Sequence, residues 1–467
     1  MTNSPYILVL DCDMYCNDPT SARQAMCFHL DPKISPSLAF IQFPQKFRNI
    51  NKNDIYDGQL RKIFVIRWPG MDGLQGPMLS GTGFYMKREA LYGNLSQKDV
   101  LHLKQSFGHS NEFIMSVHKI YQYGAIKNTE SSSKLQQEAQ FLASCTYEKN
   151  TLWGEQMGFL YHSVLEDYFT GFILHCKGKT SVFCNPSKPA FLGSSTTNLN
   201  DMMVQGTRWN FGYSLKVLPF HLWPIKNAST SNHVLWLPCT SASLFPALVV
   251  SSSWFMVFSF IFLASHLKHL EEVLSTGASI QTLLNEQRIW MMKSVTAYAY
   301  GSLDAILKCF GMREASFLPT NKVADDEQVA LYQMGKLNFQ SSTMILTPII
   351  TLIILNMVSF IGGVARMFIA GSWDDTFGQV FLSLYILMVN YPVIEGMLLR
   401  KDKGRVPTPV TLLSLVITIF LLSLGHMTLN CESDGSGELI DSAQSSSLNS
   451  PSPVEQVTNR VRNSPSV

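Results

Sequence analysis

A glutamate and an aspartate stand side by side at Glu166-Asp167, within a stretch that is otherwise apolar or aromatic. Leu165 precedes the pair and Tyr168-Phe169 follow it, and such neighbours would half-bury both carboxylates. Burial raises the pKa of a carboxylic acid, so that one of the two could accept a proton near neutral pH. The alternative is a solvated pair at the start of a helix, which is the commoner setting for these residues. The stretch therefore predicts a general base, with Asp167 and Glu166 as the candidates.

A second pair of carboxylates, Asp11 and Asp13, follows the continuous apolar run at residues 6–10. Such a short run predicts a strand that is buried on both faces. Along a strand, residues i and i+2 point to the same side, so both carboxylates would converge at its carboxyl end, where open α/β sheets bind ligands. Two hard oxygen donors suit Mg²⁺ or Mn²⁺ bridging a diphosphate. The alternative is a solvated turn, which a lone Asp-x-Asp motif favours because it is so short.

A third group, Gln205, Arg208 and Trp209, has the spacing of one helix face. The planar guanidinium of Arg208 could bind a diphosphate, and the flat ring of Trp209 could stack on a sugar. The alternative is an arginine that stacks on the tryptophan for packing alone. That alternative is the commoner case for this pair taken alone.

The composition sets limits on the class of protein. Of the 467 residues, 46% are hydrophobic and only 15% are charged, which favours a membrane protein. The 36 basic residues are balanced by 34 acidic ones, so nucleic acid is not expected as a partner. The nine cysteines include no Cys-x-x-Cys pair, which argues against a zinc site or a disulfide framework.

The chain divides into regions of different character. Alternating strand and helix patterns predict an α/β domain, in which residues 6–10 and 38–43 are strands and residues 19–30 contain a helix that ends before Pro32. The first predicted region is a cytosolic catalytic domain at 1–213, with an inserted helical region at 95–150. An uncertain or eroded membrane segment follows at 214–243, and then an all-α transmembrane region at 244–429 that includes a cytosolic interfacial and gating segment at 268–342. Residues 430–467 are predicted to be a disordered tail.

Four runs in the second half are long and apolar enough to span a bilayer, at residues 244–267, 343–365, 376–394 and 406–429. The basic cluster at 400–405 lies between the last two and predicts a cytosolic loop. Counting back from this loop places residues 313–342 on the cytosolic side as well.

A cytosolic catalytic domain requires an even number of spans before residue 313, and the sequence offers one clear run. Residues 214–243 are where a partner span is expected, but polar residues interrupt them. Residues 291–310 contain Lys293, Asp304 and Lys308, which are costly inside a bilayer. These residues therefore predict an interfacial amphipathic helix.

Together these motifs resemble the plant cellulose synthase superfamily of glycosyltransferases. Asp11 and Asp13 match the family's Asp-x-Asp, Glu166-Asp167 its Glu-Asp, and residues 205–209 its Gln-x-x-Arg-Trp. Residues 13–19 and 174–178 look most like the cellulose-synthase-like proteins of subfamily G. The resemblance runs from residue 1 to about residue 429. It implies a GT-A-like glycosyltransferase domain, incomplete at its amino terminus, followed by transmembrane helices.

The resemblance also implies a role for each motif. Asp11 and Asp13 would hold a UDP-sugar and Mg²⁺ or Mn²⁺, Asp167 would be the base, and Gln205, Arg208 and Trp209 would bind the diphosphate and the acceptor end. The acceptor and gating residues implied by the family are Gly81, Thr82, Gly83, Phe317, Thr320 and Lys322. The reaction would be a single inverting displacement on a UDP-glucose-like donor.

The family leaves several points open. The acceptor could be a β-glycan, as in cell-wall polysaccharide synthesis, or a small lipophilic aglycone. The membrane could be that of the Golgi or of the endoplasmic reticulum, and the protein could form a homo-oligomer. Because the family's first nucleotide-contacting Asp and two membrane helices lie upstream of anything present, we expect this chain to be the carboxyl-terminal part of a longer protein. A truncated, catalytically impaired relative that serves as a scaffold is the alternative to an active enzyme.

Overall fold

The computed structural model describes residues 4–92, 105, 132–144, 149–155, 157–161, 163–222, 255–312, 325–371 and 373–425. The described strands are β1 Tyr6–Val9, β2 Tyr15–Cys16, β3 Leu38–Gln42, β4 Phe84–Lys87, β5 Thr180–Phe183 and β6 Phe191–Leu192.

The described helices follow the same chain order. They are α1 Ser21–His29, α2 Trp68–Asp72, α3 Arg88–Tyr92, α4 Ser132–Ala143, α5 Glu166–Cys176, α6 Leu199–Leu222, α7 Phe255–Ser275, α8 Ile280–Lys293, α9 Ala299–Cys309, α10 Asp326–Gln333, α11 Thr343–Ala370, α12 Trp373–Val389, α13 Tyr391–Leu398 and α14 Thr408–Gly425. A π-helical turn precedes α2 at Lys62–Arg67, and another joins α8 to α9 at Ser294–Tyr298.

A mixed four-stranded sheet forms the centre of the amino-terminal half, in the order β1-β4-β3-β5. Strand β4 runs antiparallel to both neighbours, whereas β3 and β5 are parallel. Every residue of β3 is buried, as its unbroken apolar pattern predicts. Strands β2 and β6 pair separately as a short antiparallel ribbon. The α/β expectation is confirmed as a mixed sheet with flanking helices.

The first strand differs from its prediction. The sequence predicts a central strand covered on both faces, but in the described sheet β1 pairs only with β4 and lies at the edge. Its residues are partly exposed, and Leu8 is 40% exposed. A short apolar run alone does not distinguish a central strand from an edge strand, because pairing is decided by the rest of the fold.

The two halves of the chain share one buried hydrophobic cluster. Ile55 and Tyr56 from the loop after β3, together with Met202 and Met203 of α6, pack with Ile289 of α8 and with residues of the apolar helices that follow. The Tyr56 hydroxyl also accepts a hydrogen bond from the backbone N–H of Asn338, at 2.9 Å. The sheet domain and the helical region are therefore joined by burial rather than by a linker alone.

Helix α6 crosses the segment from the second π-helical turn into α9 at very short range. A Cβ atom at Gly301 would lie 2.7 Å from the carbonyl oxygen of Thr207 and 2.8 Å from the backbone nitrogen of Phe211. Asn210 donates from Nδ2 to the carbonyl oxygen of Tyr298 at 2.7 Å. Gly301 thus permits the close approach of the helix that carries Gln205-x-x-Arg208-Trp209.

Substitution of Gly301 by Ala is expected to force these two helices apart. The added methyl would overlap backbone atoms that cannot move independently, so we expect a loss of about 1–3 kcal/mol of stability. Thermal unfolding of the detergent-purified protein measures the effect. Gly70→Ala is the matched control, because a Cβ there meets nothing within 4 Å; it should be neutral or slightly stabilising. Equal stability of the two variants would contradict the close crossing.

Among the described residues, α11 and α14 are long and apolar enough to cross a membrane. They correspond to the predicted spans at 343–365 and 406–429. The predicted span at 376–394 is instead a helix pair, Thr376–Val389 and Tyr391–Leu398, bent by 70° at Asn390, and it is a third span only if the pair crosses as one unit. Proline at 392 and the turn conformation of Asn390 account for the break.

Three other predicted regions lie only partly within the residues that the structure describes. Helix α6 continues to Leu222, across the predicted domain boundary at residue 213, and residues 223–243 lie outside the described part. Helix α7 covers the second half of the predicted span at 244–267. Within the insertion at 95–150, α4 is described and most of the remaining residues are not.

Candidate active site

The site is built around the tight turn Ser80-Gly81-Thr82-Gly83, which leads into β4. Gly81 and Gly83 have positive φ angles of 65° and 72°. These are conformations that favour glycine, and a Cβ at Gly81 would also lie 2.6 Å from Nε2 of Gln45. The backbone N–H of Gly81 is thereby turned towards the first turn of α5, where it donates to Oδ2 of Asp167.

Two glutamines that the sequence motifs do not include hold this turn. The buried side chain of Gln42, at the end of β3, accepts from the N–H of Ser80 at 2.9 Å and donates to the carbonyl of Thr82 at 2.9 Å. Gln45 donates to the carbonyl of Ser80 at 2.7 Å. A polar residue at the end of an otherwise apolar buried strand was the available signal for Gln42, because a buried amide needs partners.

Asp167 lies in the first turn of α5 and is half-buried. Burial raises its pKa, while the backbone N–H groups of Gly81 and Tyr168 lower it and the charge of Asp11 raises it. Both sequence readings are thus partly right, since the pair begins a helix and is still shielded from water. A carboxylate with a raised pKa and a fixed orientation is suited to accept a proton.

Glu166, Asp11 and Arg208 form the charged surroundings of Asp167. Burial raises the pKa of Glu166, Asp167 and Asp11 raise it further, and Arg208 lowers it. Burial lowers the pKa of Arg208, against the opposing influence of Glu166, Asp167 and Asp11. The three motifs, far apart in sequence, therefore meet in one electrostatic field.

The Asp11–Asp13 segment is not a strand continuation. Strand β1 ends at Val9, and the N–H of Met14 donates to the carbonyl of Asp11 at 3.0 Å, which makes a turn. The prediction that strand alternation aligns the two carboxylates is therefore wrong. The backbone N–H of Asp11 donates to Oγ1 of the buried Thr82 at 2.8 Å, and this bond places Asp11 beside the Gly81 turn. Asp13 is half-buried in the same turn.

A cavity of about 930 Å³ opens beside Asp167. Gln205 and Trp209 line it together with Ser80, Gly81 and Asp167, whereas Arg208, the third residue predicted on that helix face, is outside its described lining. Glu166 is also outside the lining, and both residues interact electrostatically with Asp11. Asp167 thus borders a mainly apolar, aromatic cavity and also interacts with charged groups that are outside its lining.

The remaining predicted site residues are partly within the described chain and partly outside it. Gly83 supports the turn, and its missing Cβ makes room for the ring of Phe191. Phe317, Thr320 and Lys322, the predicted gating residues, lie outside the described residues.

A divalent cation has suitable donors at Asp11 and Asp13, although the described part of the chain has no cluster of three or more His, Cys, Asp or Glu side chains able to hold a metal by themselves. Mg²⁺ is commonly bound by one or two carboxylates together with substrate phosphates and water. The exposed Asp11 and the half-buried Asp13 fit that mode.

The floor of the site is anchored to the helical region by a buried ion pair. Arg61 donates from Nε and Nη2 to the two carboxylate oxygens of Glu286, at 2.6 and 2.8 Å. His269 contacts the same carboxylate at 2.6 Å. Arg61 directly follows Leu60, which lines the cavity, so this network fixes the loop between β3 and α2 against α7 and α8.

Acidification is expected to weaken this anchor. Burial opposes ionisation of Glu286, but hydrogen bonds from His269 and Arg61 outweigh it and hold the pKa at about 2, below the ordinary 4.5. The pair therefore stabilises the fold fully above pH 4.5, and its contribution is lost as the pH falls towards about 2. Near neutral pH, Glu286→Gln should cost about 3–5 kcal/mol because Arg61 stays buried and charged.

Thermal unfolding of both proteins at neutral pH and at about pH 3 tests this linkage. The difference between wild type and Glu286→Gln should shrink in acid. Glu271→Gln is the control, since Glu271 pairs with Lys268 on the exposed surface and should have little effect. A Glu286→Gln variant as stable as this control at neutral pH would contradict the anchoring role.

Comparison with known proteins identifies the family of the chain. The family model described as Cellulose synthase matches residues 1–100, 94–242 and 235–440. The chain belongs to the cellulose synthase family. The resemblance to the superfamily is thereby confirmed, whereas the finer assignment to subfamily G stays a prediction.

Three relatives within this family illustrate its range. The chain is 44% identical to a quillaic acid 3-O-glycosyltransferase of Saponaria officinalis, over 87% of this chain and 62% of that protein. It is 33% identical to cellulose synthase-like protein E1 of Oryza sativa subsp. japonica, over 91% of this chain and 59% of that protein. It is 29% identical to the UDP-forming cellulose synthase A catalytic subunit 4 of Oryza sativa subsp. indica, over 89% of this chain and 50% of that protein. The chain thus spans about half to three fifths of the length of these relatives.

Proposed function

We propose that this chain carries the catalytic and membrane-embedded parts of an inverting glycosyltransferase that uses a UDP-sugar. The observation that supports it most is the position of Asp167. Its carboxylate is fixed by the N–H of Gly81, lies in the field of Asp11 and Arg208, and lines the apolar cavity. A donor diphosphate on the charged side and an acceptor in the cavity would meet at this carboxylate.

The reaction follows from these positions. Asp167 accepts the proton of an acceptor hydroxyl while the hydroxyl oxygen forms a bond to the anomeric carbon. The bond from that carbon to the diphosphate oxygen breaks in the same step, and UDP leaves with the electron pair. Arg208 stabilises the negative charge that develops on the diphosphate. A single displacement inverts the anomeric configuration, in agreement with one base and no separate nucleophile.

Asp11 and Asp13 would hold Mg²⁺ or Mn²⁺, which when bound adds positive charge beside the leaving diphosphate. Asp11 is oriented for this role by the hydrogen bond between its N–H and Thr82. The indole of Trp209 and the amide of Gln205 then border the place where donor and acceptor meet.

For the acceptor we propose a lipophilic aglycone rather than a growing β-glycan. The cavity is lined largely by apolar and aromatic side chains, among them Trp68, Tyr168, Trp290 and Ile306. Its volume of about 930 Å³ is at the upper end of ligand pockets, which usually measure roughly 300–1,000 Å³. The relative named as a quillaic acid 3-O-glycosyltransferase supports the same choice.

The decisive experiment is transfer itself. Membranes that contain the chain should consume a UDP-sugar when quillaic acid is supplied, and release UDP in equal amount to the glycoside formed. Membranes with Asp167→Asn serve as the control for background enzymes. Consumption without added aglycone and formation of a polymer would favour a β-glycan product. No consumption by the chain, or by a longer form with additional amino-terminal sequence, would favour the scaffold alternative.

We further propose a multi-pass protein of the Golgi or endoplasmic reticulum, with the catalytic domain in the cytosol. Helices α11 and α14 have the length and composition of spans, and the basic loop at 400–405 precedes α14. Tags in this loop and in the tail, followed by protease treatment of sealed vesicles, should show the loop accessible and the tail protected. A cytosolic tail would mean that the number of spans is wrong by one.

A further inference from the structure

The cavity is lined by three charged side chains that belong to none of the sequence motifs, Asp57, Arg67 and Lys293. Of the two cations, only Lys293 comes from the helical region. Lys293 is the last residue of α8, and Asp57 lies in the loop between β3 and α2. Both line the cavity that Asp167 also borders. Lys293 is only 7% exposed, so most of its side chain is buried.

Neither charge has a hydrogen-bond partner of its own. Within the described part of the chain, the side chains of Lys293 and Asp57 take part in no hydrogen bond and in no ion pair of 4 Å or less. The two side chains interact electrostatically over a longer distance, and Asp54 also interacts electrostatically with Lys293. By contrast, the nearby Arg61 donates two hydrogen bonds to the carboxylate of Glu286.

An ammonium group buried without hydrogen bonds is costly, and a protein retains it at little advantage to the fold alone. Burial lowers the pKa of Lys293, whereas Asp57 and Asp54 raise it. Burial raises the pKa of Asp57 to about 7, with Lys293 and Lys62 opposing this shift and Glu286 adding to it. Lys293 thus lines a large cavity and has no hydrogen-bond acceptor among the described residues.

The other residues that line the cavity indicate what kind of molecule would fit in it. Three indole rings, Trp68, Trp209 and Trp290, line the cavity, and Lys62 lies over the ring of Trp290 at 5.2 Å, which fixes that ring. The exposed surface of the lining is mainly apolar, although serine, glutamine and asparagine side chains also contribute to it. A bulky apolar molecule with one anionic group satisfies both the lining and Lys293.

We propose that Lys293 binds a carboxylate on an apolar, cavity-filling acceptor, and that this contact selects acceptor acids over their neutral counterparts. Asp57 favours the charged form of the lysine. The inference deepens the proposed function, because it names the class of acceptor as a lipophilic alcohol that is also a carboxylic acid. Lys293 is a specificity residue in this view and takes no part in proton transfer.

Binding of two matched probes tests the inference without relying on turnover. Quillaic acid and its methyl ester differ by one charge, and quenching of the cavity tryptophans reports their binding to the detergent-purified full chain. Wild type should bind the acid at least about tenfold more tightly, the usual scale of a charge-assisted hydrogen bond. Lys293→Met should abolish this preference by weakening the acid alone, while Lys293→Arg should retain part of it.

Lys308→Met is the control, because Lys308 is exposed on α9, lies outside the cavity lining and packs over Phe211. It should keep the preference for the acid. Equal affinity of wild type for acid and ester would overturn the inference even if Lys293→Met fails to fold, and so would failure of wild type to bind either probe. A preference that survives in Lys293→Met would overturn it as well.

Sugar transfer measured in parallel separates this inference from the proposed function. Lys293-dependent binding of the acid without any transfer would contradict the proposed function and leave the subsite in place. Transfer to both probes with equal KM would support the proposed function and overturn the subsite.

Discussion

Replacement of Asp167 by Asn is expected to lower the rate of sugar transfer at least about a hundredfold, the scale for removal of a general base. The amide oxygen of Asn can still accept the hydrogen bond from Gly81, so the turn and the start of α5 should keep their structure. UDP binding should barely change, since Arg208 and Asp11 are intact. Single-turnover assays with a radiolabelled UDP-sugar and calorimetry with UDP measure the two quantities separately.

Asp326→Asn provides the matched control, because Asp326 also lies in the first turn of a helix but on the exposed surface of α10. Its rate should equal that of wild type. The pH profile adds a second criterion. Burial raises the pKa of Asp167 above 3.8, so the rate should fall on the acid side at a pH above that value, as the base becomes protonated. Wild-type turnover in Asp167→Asn would remove this residue from the mechanism.

Removal of divalent cations is expected to weaken UDP binding at least about tenfold, the lower end of the losses seen when a metal site is disturbed. The reason is that a diphosphate brought beside Asp11, Glu166 and Asp167 meets a cluster of carboxylates, with Arg208 as the neighbouring cation in that cluster. Calorimetry of UDP with Mg²⁺, with Mn²⁺ and with excess chelator measures the dependence. Addition of either cation should restore the affinity.

Asp11→Asn should reproduce the effect of the chelator, and the chelator should then add little. Asp31→Asn, in the turn after α1, is the control and should keep the full cation dependence. If UDP binds equally well with and without cation, Asp11 and Asp13 form only a solvated turn. The assignment of Asp167 as the base would be unaffected by that result.

Two local expectations from the sequence have different outcomes in the structure. The Gln205–Trp209 spacing predicted a shared helix face, and Gln205 and Trp209 line one cavity, whereas Arg208 is not part of its described lining. The strand geometry proposed for Asp11 and Asp13 was wrong, because the chain leaves the strand at Val9 and turns. Helical spacing is a local property, whereas the end of a strand depends on the length of its partner.

Composition and hydropathy also predicted membrane spans in the carboxyl-terminal half, and two described helices there are long and apolar enough to cross a membrane. They did not reveal the 70° break between α12 and α13. Hydropathy averages over a window, so a run that is apolar throughout looks continuous even where a turn residue and a proline interrupt it. The break depends on backbone conformation at Asn390 and not on polarity.

What the sequence determined was the family, through two carboxylate pairs and an arginine–tryptophan helix face whose types and order resemble it; these groups are the candidates for the reaction. What only the tertiary structure decided was their surroundings. Gln42 and Gln45 hold the Gly81 turn through hydrogen bonds. Lys293 and Asp57 line the same cavity although they are more than two hundred positions apart in the sequence. Such groups carry no local pattern, because burial, hydrogen bonding and charge act through space between segments that the chain brings together only when it folds.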